Sequence, residues 1–119
     1  MVNRILLVED DPDLRPLLTH ILIDGRFRVE ATTTVAGALS MLETRSYDLV
    51  VADARLGDGN GMTIAAHAEE HGIKALIVTG YAFLFPHDEL ARYEYLLKPV
   101  RPNELLAAVA RILGRPKAA

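Results

Sequence analysis

Cysteine is absent from this chain of 119 residues. That excludes disulfides, thiolate metal sites and cysteine nucleophiles, and it suits a reducing compartment such as the cytoplasm. No apolar run approaches the roughly 18 residues of a membrane span. The first residues lack the basic-then-apolar order of a secretory signal. Basic residues are outnumbered, 13 Lys and Arg against 16 Asp and Glu, and they form no cluster. Direct nucleic-acid binding by this chain is therefore disfavoured, and no membrane partner is expected. There is no linker, repeat or low-complexity tract. A chain of this length suits one domain that buries roughly two thirds of its unfolded surface. The expectation is a single domain over residues 1–119, with its core in 3–113 and a tail in 114–119.

Half of the residues are hydrophobic, and their arrangement is informative. Arg4–Val8 (RILLV) is a short run rich in Ile, Leu and Val, the pattern of a strand covered on both faces. Leu49–Ala52, Ala75–Val78 and Tyr95–Leu97 repeat it, and Phe27–Ala31 reads as a more polar edge strand. Between them lie helical patterns: Pro12–Ile23, Thr34–Thr44 with Thr33 or Thr34 as cap, Gly61–His71, and Pro102–Leu113 stopped by Gly114 and Pro116. Tyr81–Tyr93 fits least well, and a fourth helix there is expected to be short or irregular. Alternation of this kind predicts an α/β domain with a doubly wound, five-stranded parallel sheet and helices on both faces, and right-handed crossovers leave few strand orders. The order expected is the flavodoxin-like 2-1-3-4-5.

In such a sheet the chemistry lies at the carboxyl ends of the strands. The first strand runs into Glu9, Asp10 and Asp11, the third ends in Asp53, the fourth in Thr79 and the fifth in Lys98. If the order is 2-1-3-4-5, strands one and three are neighbours, and Glu9, Asp10 and Asp53 then converge. Three carboxylates repel one another unless a cation joins them, and oxygen ligands of this kind suit Mg²⁺. Lys98 supplies a positive charge for a phosphoryl oxygen and Thr79 a hydroxyl donor. Asp53 is then available as a carboxylate nucleophile toward phosphorus.

The set VEDD, DLVVADARLGDGNG, VTGYA and YLLKP, in this order and at strand ends, resembles the receiver domain of two-component response regulators, of the chemotaxis-regulator kind, over Arg4–Leu113. The resemblance implies that Asp53 is the phosphoacceptor, forming 4-aspartylphosphate. It implies that Glu9, Asp10, Asp53 and the backbone carbonyl of Arg55 hold Mg²⁺, and that Thr79 and Lys98 contact the phosphoryl group. Tyr95 matches the aromatic whose rotamer follows the Thr, although half-buried packing explains it equally well. Lys98–Pro99 is a candidate cis bond, and Gly61 matches a turn glycine. The implied partners are a sensor histidine kinase or histidine phosphotransfer protein and a downstream protein target. The protein would be no enzyme beyond catalysing its own phosphorylation and dephosphorylation.

The chain departs from the family at Gly57, where proline is frequent, and the run Gly57-Asp58-Gly59-Asn60-Gly61 is expected to be loose. Arg55 and Tyr81 occupy positions that influence hydrolysis in the family, and two bulky groups there predict slow autodephosphorylation. Asp11 and Asp13 are read as helix caps, and Phe83 and Phe85 as core or interface. His20, His67, His71 and His87 are scattered, with no recognisable metal spacing, and read as surface or satisfied residues. GDGNG is neither a dinucleotide loop nor a P-loop. Arg55 stands where an aspartyl-nucleophile phosphatase would want a second Asp. The competing reading is a phosphorylation-independent, receiver-like interaction module.

Overall fold

The computed structural model describes residues 2–80 and 90–114. In chain order these form β1 (Arg4–Val8), α1 (Leu14–Asp24), β2 (Arg28–Thr32), α2 (Val35–Thr44), β3 (Leu49–Asp53), β4 (Arg55–Leu56), β5 (Gly59–Asn60), α3 (Gly61–Glu70), β6 (Lys74–Thr79), β7 (Glu94–Leu97) and α4 (Pro102–Leu113). The five longer strands make one sheet of order β2-β1-β3-β6-β7, parallel throughout. With the short β4–β5 hairpin set aside, this is the expected 2-1-3-4-5 arrangement. No helix among the described residues is long and apolar enough to cross a membrane.

Alternation along the central strands divides the core in two. Leu6, Val8, Val50, Ala52 and Ile77 face α2 and α3, where they meet Ala38, Leu42, Ile64, Ala65 and Ala68. Ile5, Leu7, Leu49, Val51, Leu76 and Val78 face α1 and α4, packing on Leu18, Leu22, Leu105 and Val109. Both faces are covered, which is why these strands read as unbroken apolar runs. Each fully buried Leu or Ile contributes about 1.5–3 kcal/mol of apolar transfer.

The helix starts follow local rules, with one shift. Thr34 accepts a hydrogen bond from Gly37 N at 2.9 Å and Asn60 one from Thr63 N at 3.1 Å. At α1, Asp11 does the capping: its Oδ1 accepts from Asp13 N (2.8 Å) and Leu14 N (3.1 Å), while the Asp13 side chain makes no cap bond. The glycine-rich run after β3 is held, contrary to the loose loop expected. It forms the β4–β5 hairpin, and the Asp58 carboxylate accepts from Val35 N (2.8 Å) and Ala36 N (3.1 Å) at the start of α2. The Val35 N–H bond, then that from Ala36, holds the Asp58 carboxyl below its usual range.

The expected irregular fourth helix falls largely in residues 81–89, outside the described residues, as do Tyr81, Phe83, Phe85, His87 and residues 115–119 of the tail. After that segment Leu90 and Ala91 are helical, Tyr93 N closes a turn onto Leu90 O at 3.2 Å, and Leu90 and Tyr93 are buried.

Candidate functional site

Strand register assembles one rim of the sheet. Val8 pairs with Ala52, so the next residues, Glu9 and Asp53, leave the sheet side by side. Asp53 pairs with Val78 and Thr79 with Leu97, which places Thr79 and then Lys98 at the same edge. Lys98 N donates to Thr79 O at 2.9 Å, and the Lys98–Pro99 bond is cis. Of the expected residues, Glu9, Asp10, Asp53 and Lys98 meet through their side chains. Thr79 is fully buried at the end of β6 beside them.

Two acids, Glu9 and Asp53, hold the Lys98 ammonium, and a third, Asp10, lies beside them. Lys98 Nζ donates to Asp53 Oδ2 at 2.8 Å and forms an ion pair with Glu9 Oε1 at 3.1 Å. Arg55 N donates to Asp53 Oδ1 at 3.2 Å, Gly57 N to Asp10 Oδ2 at 3.2 Å, and Asp11 N to Glu9 Oε2 at 3.2 Å. Glu9 is 1 % exposed and Asp53 8 %. The approach of the ammonium to Glu9 Oε1 is out of line for a hydrogen bond, so this buried oxygen has no hydrogen-bond partner. Burial, then the hydrogen bond and charge of Asp53, push the Glu9 carboxyl up to about 7; the Asp11 N–H and Lys98 oppose this less strongly. Burial pushes the Lys98 ammonium down, but Asp53 and then Glu9 outweigh it and hold its pKa above the usual lysine value.

One carboxylate oxygen each from Glu9, Asp10 and Asp53 lies within 4.8 Å of the others. Oxygens bound at about 2.0–2.1 Å in an octahedron stand about 3 Å apart when adjacent and about 4.2 Å apart when opposite, so three oxygens within 4.8 Å of one another need only a small closing movement to share one Mg²⁺. Glu9 Oε1, buried with no hydrogen bond and only the shared Lys98 ammonium near it, and the surplus of acid over base fit a divalent cation on physical grounds.

Gly61, at the start of α3, is required by this packing. A Cβ there would lie 2.3 Å from the Asp53 carbonyl oxygen, and Gly61 N donates to Ala54 O at 2.9 Å. Tyr95 lies two residues before Leu97 on the edge strand β7, paired with Ile77 and 41 % exposed. Arg55 is exposed in β4.

The sequence reading missed a second cluster. His67 and His71, set aside as scattered, are joined by Glu43 of α2, whose Oε1 lies 2.7 Å from His67 Nε2 and 3.4 Å from His71 Nε2. The spacing of four between the histidines was a visible signal for one helix face; the acid, 24 residues before His67, was not.

Comparison with known proteins agrees with the geometry. The model of the response regulator receiver domain matches residues 5–110. The TorCAD operon transcriptional regulatory protein TorR of Escherichia coli K12 is 28% identical over 119 residues, covering 97% of this chain and 52% of TorR; the chain thus spans about half of that relative's length. The non-phosphorylated HemR receiver domain of Leptospira biflexa superposes with a TM-score of 0.81 at 31% identity, covering 98% of each chain. The receiver domain of the sensor histidine kinase PA1611 of Pseudomonas aeruginosa PAO1, solved with a magnesium ion coordinated in its active site cleft, has a TM-score of 0.85 at 23% identity, covering 96% of this chain and 99% of that one. This chain belongs to the response regulator receiver domain family of two-component systems.

Proposed function

We propose that this chain is a phosphoryl switch in which Asp53 accepts a phosphoryl group from the phosphohistidine of a sensor histidine kinase or histidine phosphotransfer protein. The observation that supports this best is the Lys98–Asp53 contact of 2.8 Å set beside Glu9 and Asp10. A carboxylate oxygen of Asp53 forms the new bond to phosphorus as the bond from phosphorus to the histidine nitrogen breaks, and the imidazole leaves with the electron pair. Lys98 turns from Asp53 to the incoming phosphoryl oxygens, where charge is spread in a loose transition state. Thr79 donates its hydroxyl to the same group. Attack by water on phosphorus later releases inorganic phosphate and regenerates the carboxylate.

Glu9, Asp10, Asp53 and the backbone carbonyl of Arg55 would hold Mg²⁺. The magnesium ion of the PA1611 receiver domain supports that choice of metal. When bound, Mg²⁺ supplies the positive charge that lets an anionic phosphoryl group approach three carboxylates. The output is a protein-binding surface that changes at Thr79 and Tyr95 and engages a downstream protein target. TorR, a transcriptional regulatory protein by name, is matched over about half its length, so its output is no guide to this chain.

Incubation with acetyl phosphate and Mg²⁺, read by intact-protein mass, tests the proposal. Wild type gains one phosphoryl group; Asp53→Asn and wild type with chelator gain none. A wild type that stays unlabelled on Asp53 refutes the switch and favours the phosphorylation-independent module.

A further inference from the structure

We infer that Glu43, His67 and His71 form a second metal site, for a divalent ion of the zinc class, remote from the Asp53 rim. His67 lies in the last turn of α3 and His71 caps it, one turn apart on the same face. Glu43 is the penultimate residue of α2. The three pairwise separations form a closed triangle: 2.7 Å between His67 Nε2 and Glu43 Oε1, 3.4 Å between His71 Nε2 and the same oxygen, and 3.4 Å between the two Nε2 atoms. Ligands at about 2.0–2.1 Å from zinc and at the tetrahedral angle stand about 3.3–3.4 Å apart. Two of the three edges already have that length. The third is a hydrogen bond that lengthens when a metal ion replaces its proton.

The donor chemistry selects the ion. Two imidazole nitrogens and one carboxylate suit Zn²⁺, Co²⁺, Ni²⁺ or Cu²⁺, whereas Mg²⁺ prefers oxygen alone. A proton on one Nε2 bridges only two of the three atoms; a metal ion satisfies all three and leaves one position for water. The place favours a cation as well. The helices run antiparallel to the strands, so both C-terminal ends, with their partial negative charge, meet at the rim opposite Asp53. A bound ion ties α2 to α3 across the face that covers β1 and β3.

The test uses the untagged full chain with Mg²⁺ in excess, so that the acidic rim is occupied. Titration with Co²⁺ alone gives the visible absorption bands of tetrahedral cobalt, and one equivalent of Zn²⁺ abolishes them. His67→Gln, His71→Gln and Glu43→Gln each weaken cobalt binding by at least about tenfold. Zn²⁺ raises the Tm of wild type and not that of the His67→Gln/His71→Gln double variant, which still labels on Asp53. Absence of the bands in wild type, or bands and Tm shifts that persist in the double variant, overturns the site.

Discussion

Lys98 Nζ and Asp53 Oδ2 meet at 2.8 Å across 45 residues of sequence. This contact joins the end of the third long strand to the end of the fifth, and it makes separable demands on metal and phosphoryl binding. Lys98→Met removes the point charge offered to the phosphoryl oxygens but leaves all three carboxylates. Labelling of Asp53 by acetyl phosphate should slow by about 10²-fold, the usual effect of losing one preorganised donor. Mg²⁺ affinity, measured by calorimetry, should stay the same or rise because the competing ammonium is gone. Loss of Mg²⁺ affinity in this variant would place Lys98 in the metal's support instead.

Glu9 predicts the pH dependence of the domain without metal. Its carboxyl is raised from 4.5 to about 7 in the fold, chiefly by burial. Between those values the native state holds more protons than the unfolded chain, so stability falls as pH rises from about 4.5 through about 7. Divalent cation should restore it. Urea midpoints without metal should drop from pH 6 to pH 8, and added Mg²⁺ should raise the midpoint more at pH 8 than at pH 6. Glu9→Gln should flatten the metal-free drop and weaken the response to Mg²⁺. A wild type whose Mg²⁺ response is the same at both pH values would contradict this account.

Gly61 tests how tightly the hairpin holds Asp53. In Gly61→Ala the new methyl would meet a backbone carbonyl at 2.3 Å, and no flexible side chain can yield there. The strain should cost about 1–3 kcal/mol in urea denaturation, as overpacking does, and should slow Asp53 labelling by displacing the acid. Wild-type stability and labelling together would show that β3 and α3 can separate freely.

Glu30 on β2 binds Arg4 at 2.6 Å, Arg45 at 2.7 Å and the Tyr47 hydroxyl at 2.6 Å. The Tyr47, Arg45 and Arg4 hydrogen bonds lower its carboxyl from 4.5 to about 2. A depressed acid stabilises the fold fully above 4.5, and that contribution is lost as pH falls toward 2. Glu30→Gln should therefore lower the urea midpoint at pH 7, with the gap to wild type narrowing below about pH 4.5. The side chain is 30 % exposed, so added salt should reduce the effect. A gap independent of pH would point to packing rather than charge.

The elements legible in the sequence were those whose signal is local. Arg4–Val8 and Leu49–Asp53 are apolar because helices cover both faces of their sheet, and Pro102–Leu113 shows its buried stripe and its glycine stop in order. The acids after β1 and β3 could be placed at one rim because parallel strands end together. Where two local solutions competed, the reading was less sharp: Asp11 and Asp13 both looked like caps, and only Asp11 reaches the free N–H groups. The glycine run after β3 looked loose because its own residues supply little that holds it; Asp58 finds its partners on α2, 23 residues away.

The sequence by itself determined the alternation of strands and helices, the parallel sheet and the polar residues that its strands carry to the carboxyl rim; the strand order that sets Glu9 beside Asp53 is decided by the fold. Those follow from apolar period, capping chemistry and the rules of parallel connections, all readable within one element or between neighbours. Tertiary structure alone decided that Glu9 Oε1 is buried without a hydrogen-bond partner, that Glu30 gathers three donors, and that Glu43 meets His67 and His71. Each depends on how one packed element is rotated against another. A side chain's own neighbours along the chain do not encode that rotation; the fit of the two cores against the sheet does.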